Sequence, residues 1–205
     1  MSNPKIYILL TDTGTIFTRL IKLYTKKPYN HASISFDPQL REVYSFGRKT
    51  AANPFIGGFV KENIRTNFFK NARCACLSYP VTNEQLQYLK DFIEKMESEK
   101  DLYSYNLLGL FAIIFNKPFT RDNAYFCSQF VAAVLQESGI VHFTKPLSLV
   151  TPHEFMEMKN FQVIYQGNLE NYYQDIDIQT KGFKSYNSAH SPHEKNKLGE
   201  TLAMS

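Results

Sequence analysis

Apolar and polar positions change their period several times along this chain, and each change predicts an element. Lys5 to Leu10 reads as a short buried strand. Thr11-Asp12-Thr13-Gly14 is turn and cap chemistry, after which Ile16, Leu20, Ile21 and Tyr24 recur at helical spacing with Arg19 and Lys22 opposite. Lys27-Pro28 ends that helix. His31 to Phe36 alternates apolar and polar, Asp37-Pro38-Gln39 is a turn, and Glu42 to Phe46 returns, which predicts a hairpin of two strands. Gly47 to Asn67 lacks a clear period and reads as a long loop with one short extended piece.

Arg73 to Tyr79 is strand-like, and its alternation puts Cys74 and Cys76 on one face, as core residues. Thr82-Asn83-Glu84-Gln85 is a capping box opening a helix with Leu86, Leu89, Phe92, Ile93 and Met96 along one side. Asn106 to Phe115 predicts a second, more buried helix that stops before Pro118. A third begins near Cys127, with Asn123 or Asp122 as its cap, and ends at Gly139. Thr151-Pro152 starts a short helix through Met158, and Phe161 to Tyr165 is the last strand. Residues 1–167 therefore make one domain, and 168–205 a polar tail, with disorder expected beyond about Lys181.

Composition changes this picture little. The chain has 43% apolar and 15% aromatic residues, with 17 Phe, 13 Tyr and no Trp, so aromatic packing should dominate its core. A net charge of +4 makes no case for nucleic acid. The longest strongly apolar run, Leu107 to Phe115, is too short to span a membrane. Three cysteines, an odd number, suit a reducing, cytoplasmic setting. Cys74-Ala75-Cys76 has no second ligand pair at zinc spacing, and Gly57-Gly58 lacks phosphate-loop spacing. Neither a metal nor an organic cofactor is expected.

The candidate chemistry lies in Tyr125-Phe126-Cys127-Ser128-Gln129-Phe130-Val131. Cys127 heads an apolar helix, where the helix dipole and a neighbouring imidazolium both favour a thiolate. The unpaired amides of the first turn, those of Cys127 and Ser128, suit a developing oxyanion. His31 is the natural base, and it needs a polar neighbour to fix its tautomer. Alternation places Ser45 with Val43 and Gly47, and His31 with Ser33 and Ser35. Matching polar faces makes Ser45 the first choice for orienting the ring, with Tyr44 as the alternative.

The blocks Tyr29-Asn30-His31-Ala32-Ser33-Ile34, Val43-Tyr44-Ser45-Phe46-Gly47 and Tyr125 to Val131 resemble the circularly permuted NlpC-like branch of the papain fold, nearest to the YiiX-like bacterial hydrolases. Lecithin:retinol acyltransferase relatives share that order. Tyr105-Asn106-Leu107-Leu108-Gly109 and Leu149-Val150-Thr151-Pro152 also fit, so the similarity runs from about Ile6 to Gly167. The resemblance implies an α+β domain with a small antiparallel sheet packed against helices. It implies Cys127 as nucleophile, His31 as base and Ser45 at the third position, a slot that commonly holds His, Glu, Asn or Gln.

Three functions follow from these residues. The first is a thiol hydrolase cleaving an amide bond in a peptide or muropeptide. The second uses the same Cys–His pair on a lipid or ester acyl group. The third is a module that binds amino acids or peptides without turnover, motivated by the uncharged Ser45.

Overall fold

The structure, a computed structural model, describes residues 3–12, 14, 22, 26–48, 57–106, 117–174 and 176. The helices expected over Ile16–Tyr24 and Asn106–Phe115 and the tail beyond Lys181 lie outside the described residues, apart from Lys22 and Asn106.

An α+β architecture is built on one six-stranded antiparallel sheet. Its strands are β1 (Lys5–Asp12), β2 (His31–Ser35), β3 (Val43–Arg48), β4 (Gly57–Glu62), β5 (Arg73–Pro80) and β8 (Gln162–Asn168), in the order β4-β3-β2-β1-β5-β8. Two further strands, β6 (Ser104–Tyr105) and β7 (Ala124–Tyr125), form a small parallel pair. The helices are α1 (Asn83–Ser98), α2 (Cys127–Glu137) and α3 (Glu154–Glu157). Among the described residues no helix is long and apolar enough to cross a membrane.

Both faces of the sheet are covered. Ile6, Ile8 and Leu10 of β1, Ala32 and Ile34 of β2 and Phe46 of β3 face Leu89, Ile93 and Met96 of α1 and Phe130, Val131 and Val134 of α2. The alternate residues Tyr7, Leu9, Val43, Cys74 and Cys76 turn to the other side, where Leu40, Ile64, Phe69, Leu169 and Tyr172 cover them. Leu169 and Tyr172 lie beyond Gly167 yet are buried, so the packed body continues past β8.

The helix ends obey local chemistry. Thr82 caps α1 by a capping box: its hydroxyl accepts from Gln85 N at 3.1 Å, and Gln85 Oε1 accepts from Thr82 N at 3.0 Å. Gly139, at φ 66°, ends α2 in a Schellman arrangement, with Ile140 N donating to Leu135 O at 2.9 Å and Gly139 N to Gln136 O at 3.0 Å.

One expectation gains detail and two need correction. The short extended piece expected within the loop from Gly47 to Asn67 is β4, which pairs along its length with β3. Its alternation is only six residues long and opens on two glycines, which contribute no side chain to the pattern. Neither Asn123 nor Asp122 caps α2; the cap residue is Phe126, with no side-chain hydrogen bond. Asn123 instead takes a left-handed turn, φ 52°, leading into β7, and its carbonyl accepts from Ser104 N at 2.9 Å. The helix expected from Thr151 to Met158 is the shorter α3, and His153 rather than Thr151 is its cap residue.

Candidate active site

Cys127 is the first residue of α2, and His31 the first residue of β2. Aromatic packing brings these two ends together. Phe130, one turn into α2, meets Phe46 of β3 at 5.2 Å between ring centroids and Phe59 of β4 at 5.8 Å. Phe46 also packs against Tyr125 of β7 at 5.1 Å, edge to face. Helix α2 and the segment that feeds it are thereby held on the sheet over β2 and β3.

Gly57 closes the same junction. A Cβ there would fall 2.6 Å from Gly47 O and 2.7 Å from Tyr105 Cβ, so only glycine lets β6 approach β4 this closely. Ser128 adds a tie on another side, its hydroxyl donating to Val150 O at 2.7 Å.

His31 and Cys127 are near enough to interact electrostatically. His31 Nε2 lies 2.7 Å from Glu62 Oε1, which leaves Nδ1 for the thiol. Glu62, the last residue of β4, is two strands away from His31, and its side chain reaches across β3 to meet the ring. Its path runs over Gly47, where a Cβ would sit 3.8 Å from Glu62 Oε1. Both side chains are largely enclosed, 15% exposed for His31 and 10% for Glu62.

Two serines complete the arrangement. Ser33 donates to Glu62 Oε2 at 2.6 Å, and Ser45 donates to Glu62 Oε1 at 2.8 Å. Ser45 thus stands on the expected face beside His31, but its hydroxyl goes to the carboxylate rather than to the ring. Tyr44 points to the opposite face, where it packs against Phe36 and Phe59.

Glu62 is the residue that sequence reasoning passed over. The available signal was the alternation of Phe59 and Lys61 with Val60 and Glu62 just before Asn63.

The charges support one another. Burial disfavours a charged imidazole, but Glu62 and then Cys127 outweigh it and hold the His31 pKa well above its ordinary 6.5. Burial would raise the Glu62 pKa, yet His31 and the two serine hydroxyls reverse this and hold it below its ordinary 4.5. Each group therefore favours the charged form of the other, beside the sulfur.

Cys127 as a whole is 3% exposed, and the His31 side chain 15%. The first helical hydrogen bond runs from Phe130 N to Phe126 O at 2.9 Å, so the amides of Cys127, Ser128 and Gln129 have no intrahelical acceptor. They provide the positive end of α2 beside the sulfur.

Cys74 and Cys76 lie away from this site. Both are fully buried in β5, and burial pushes their pKa values up to about 12 and about 11. Among the described residues no group of three His, Cys, Asp or Glu side chains is arranged to hold a metal ion. No protein-family model matches the chain, and no curated protein matches it, so the case for this site rests on the arrangement of Cys127, His31 and Glu62.

Proposed function

We propose that this chain is a thiol hydrolase that cleaves an amide bond in a peptide or muropeptide-like substrate, with Cys127 as nucleophile, His31 as base and acid, and Glu62 as the group that orients His31. The observation that carries this reading is the His31 ring paired with the Glu62 carboxylate at 2.7 Å, with Cys127 near enough to act on the same ring. A ring fixed and charge-balanced by a carboxylate is what a cysteine nucleophile requires of its partner.

In this mechanism His31 takes the thiol proton, and the sulfur attacks the substrate carbonyl carbon. The oxyanion forms against the uncapped amides at the start of α2. As the C–N bond breaks, His31 returns the proton to the leaving amine, and a thioester remains on Cys127. Water then attacks the thioester, His31 takes a proton from that water, and the acid departs as the thiol re-forms. The protein's own residues supply every proton transfer in this sequence.

The chain order His31, Glu62, Cys127 and the antiparallel sheet support a permuted papain-like, NlpC-like fold. Three free cysteines fit a cytoplasmic, reducing setting. The non-catalytic reading was motivated by a site oriented by a neutral serine alone, and the Glu62 carboxylate removes that motive.

The test is labelling of the full chain with a panel of acyl electrophiles differing in side chain, read by mass spectrometry. Cys127 is expected to be acylated far faster than a cysteine in a short peptide, and His31→Ala to abolish the advantage. Reaction at Cys127 no faster than in the peptide would overturn the proposal.

A further inference from the structure

We infer that Ser33 and Ser45 are positioning residues that act through Glu62 to keep the His31 ring proton on Nε2, so that Nδ1 alone serves the thiol. This rests on the hydrolase reading above and adds two residues to it.

Three donors, His31 Nε2 and the hydroxyls of Ser33 and Ser45, converge on the two oxygens of one carboxylate. An ionised carboxylate only accepts, so it suits all three at once. A proton on Glu62 would displace one of them, and rotation of the carboxyl group is blocked because each oxygen is already engaged. With Glu62 fixed as an acceptor, the nitrogen facing it must carry hydrogen.

The serines have little other reason to be there. Both are fully buried in strands, where small hydroxyl side chains fill space poorly and favour pairing less than branched residues do. Ser35, next on the same face of β2, shows the contrast: its hydroxyl serves the following turn by donating to Asp37 O at 3.1 Å. Of these three serines, Ser33 and Ser45 are aimed at Glu62.

Among the described residues, the charged and titratable groups facing this cluster are few. His31 comes from β2, Glu62 from β4 and Cys127 from α2. Thr11 of β1, opposite His31, presents a neutral hydroxyl with no partner. Lys61, beside Glu62 in sequence, is turned to the opposite side, where it pairs with Glu42 at 2.7 Å.

Two measurements on the full chain test this. The first is 15N NMR of the His31 imidazole in the unreacted protein, at a pH where the ring is neutral. The wild type is expected to show the Nε2–H form alone, and Ser33→Ala/Ser45→Ala a mixture of both tautomers. The second is the rate of Cys127 acylation by a p-nitrophenyl ester against pH.

Each single alanine variant is expected to lose about tenfold at neutral pH, the worth of one hydrogen bond to a charged group. The alkaline limb of the profile should move to lower pH, because a less firmly held carboxylate supports the imidazolium less. Ser45→Thr, which keeps the hydroxyl, should restore the wild-type limb.

A folded double variant with an unchanged tautomer and an unchanged alkaline limb would overturn the inference. Should the double variant not fold, the single variants carry the same comparison. An unreactive wild-type Cys127 would instead defeat the hydrolase reading, while the NMR result would still decide the role of the serines.

Discussion

Glu62 carries the largest single-residue consequences. It is a nearly enclosed carboxylate accepting from an imidazole and two hydroxyls, so replacing it leaves a buried ring without its counter-charge. Glu62→Gln is expected to destabilise the fold by about 3 kcal/mol, measured by urea unfolding at pH 6. The same variant should slow Cys127 acylation by roughly 100- to 10,000-fold, the usual range for impaired acid–base catalysis. An acylation rate within twofold of wild type would remove Glu62 from the mechanism. At this scale the sequence was legible for Cys127 and His31, because each is marked by its own neighbours: an apolar helix behind the cysteine, an alternating strand behind the histidine. The orienting group was not marked in this way. Polar alternation correctly put Ser45 on the face of His31, but the carboxylate that joins them arrives from another strand, and nothing adjacent to Glu62 indicates that its side chain crosses β3.

At the level of elements, the site depends on how α2 is seated. Phe46 is fully buried and touches rings from β4, β7 and α2, so Phe46→Ala removes the contact that places the start of the helix. A loss of about 4 kcal/mol is expected in denaturant unfolding. In a milder variant, Phe46→Leu, Cys127 acylation should fall more than stability does. Gly57→Ala should cost about 2 kcal/mol, because its methyl group meets a backbone oxygen and the Tyr105 side chain at under 3 Å. By comparison Thr82→Ala, at the far end of α1, should cost about 1 kcal/mol and leave acylation unchanged, since it removes only a cap. The strands that alternate over five residues or more, such as β2 and β5, could be read directly, as could the α1 capping box and the Gly139 stop. β4 showed only as a short extended piece because it opens on two glycines, and what escaped was the start of α2, where a phenylalanine stands in the cap position that a polar residue was expected to fill.

For the whole molecule, the buried ion pair links stability to pH with opposite signs on its two sides. Glu62 has a lowered pKa in the fold, so its contribution is present above 4.5 and is lost as pH falls through the lowered value. His31 has a raised pKa, so its contribution is complete below 6.5 and is lost as pH rises through the raised value. The stability difference between wild type and Glu62→Gln should therefore be largest between pH 4.5 and 6.5 and shrink on either side once those shifted values are passed. Thermal unfolding of both proteins across pH 3 to 10 checks this, and a difference independent of pH would refute it. The overall α+β layout is the one the resemblance implied, and the strands and helices read from the spacing fit it, whereas the second packed face, closed by Leu169 and Tyr172, was not foreseen, because those residues sit in a stretch whose composition is polar on average. That second face gives the molecule an internal clock for its own opening. Cys74 and Cys76 lie in β5, between β1 and β8, beneath the residues that cover this face, and no reagent reaches them until that packing opens. Under pulsed alkylation, the rate at which these two thiols appear in the mass spectrum measures how often this face is uncovered, in the same sample and the same spectrum that report the state of Cys127.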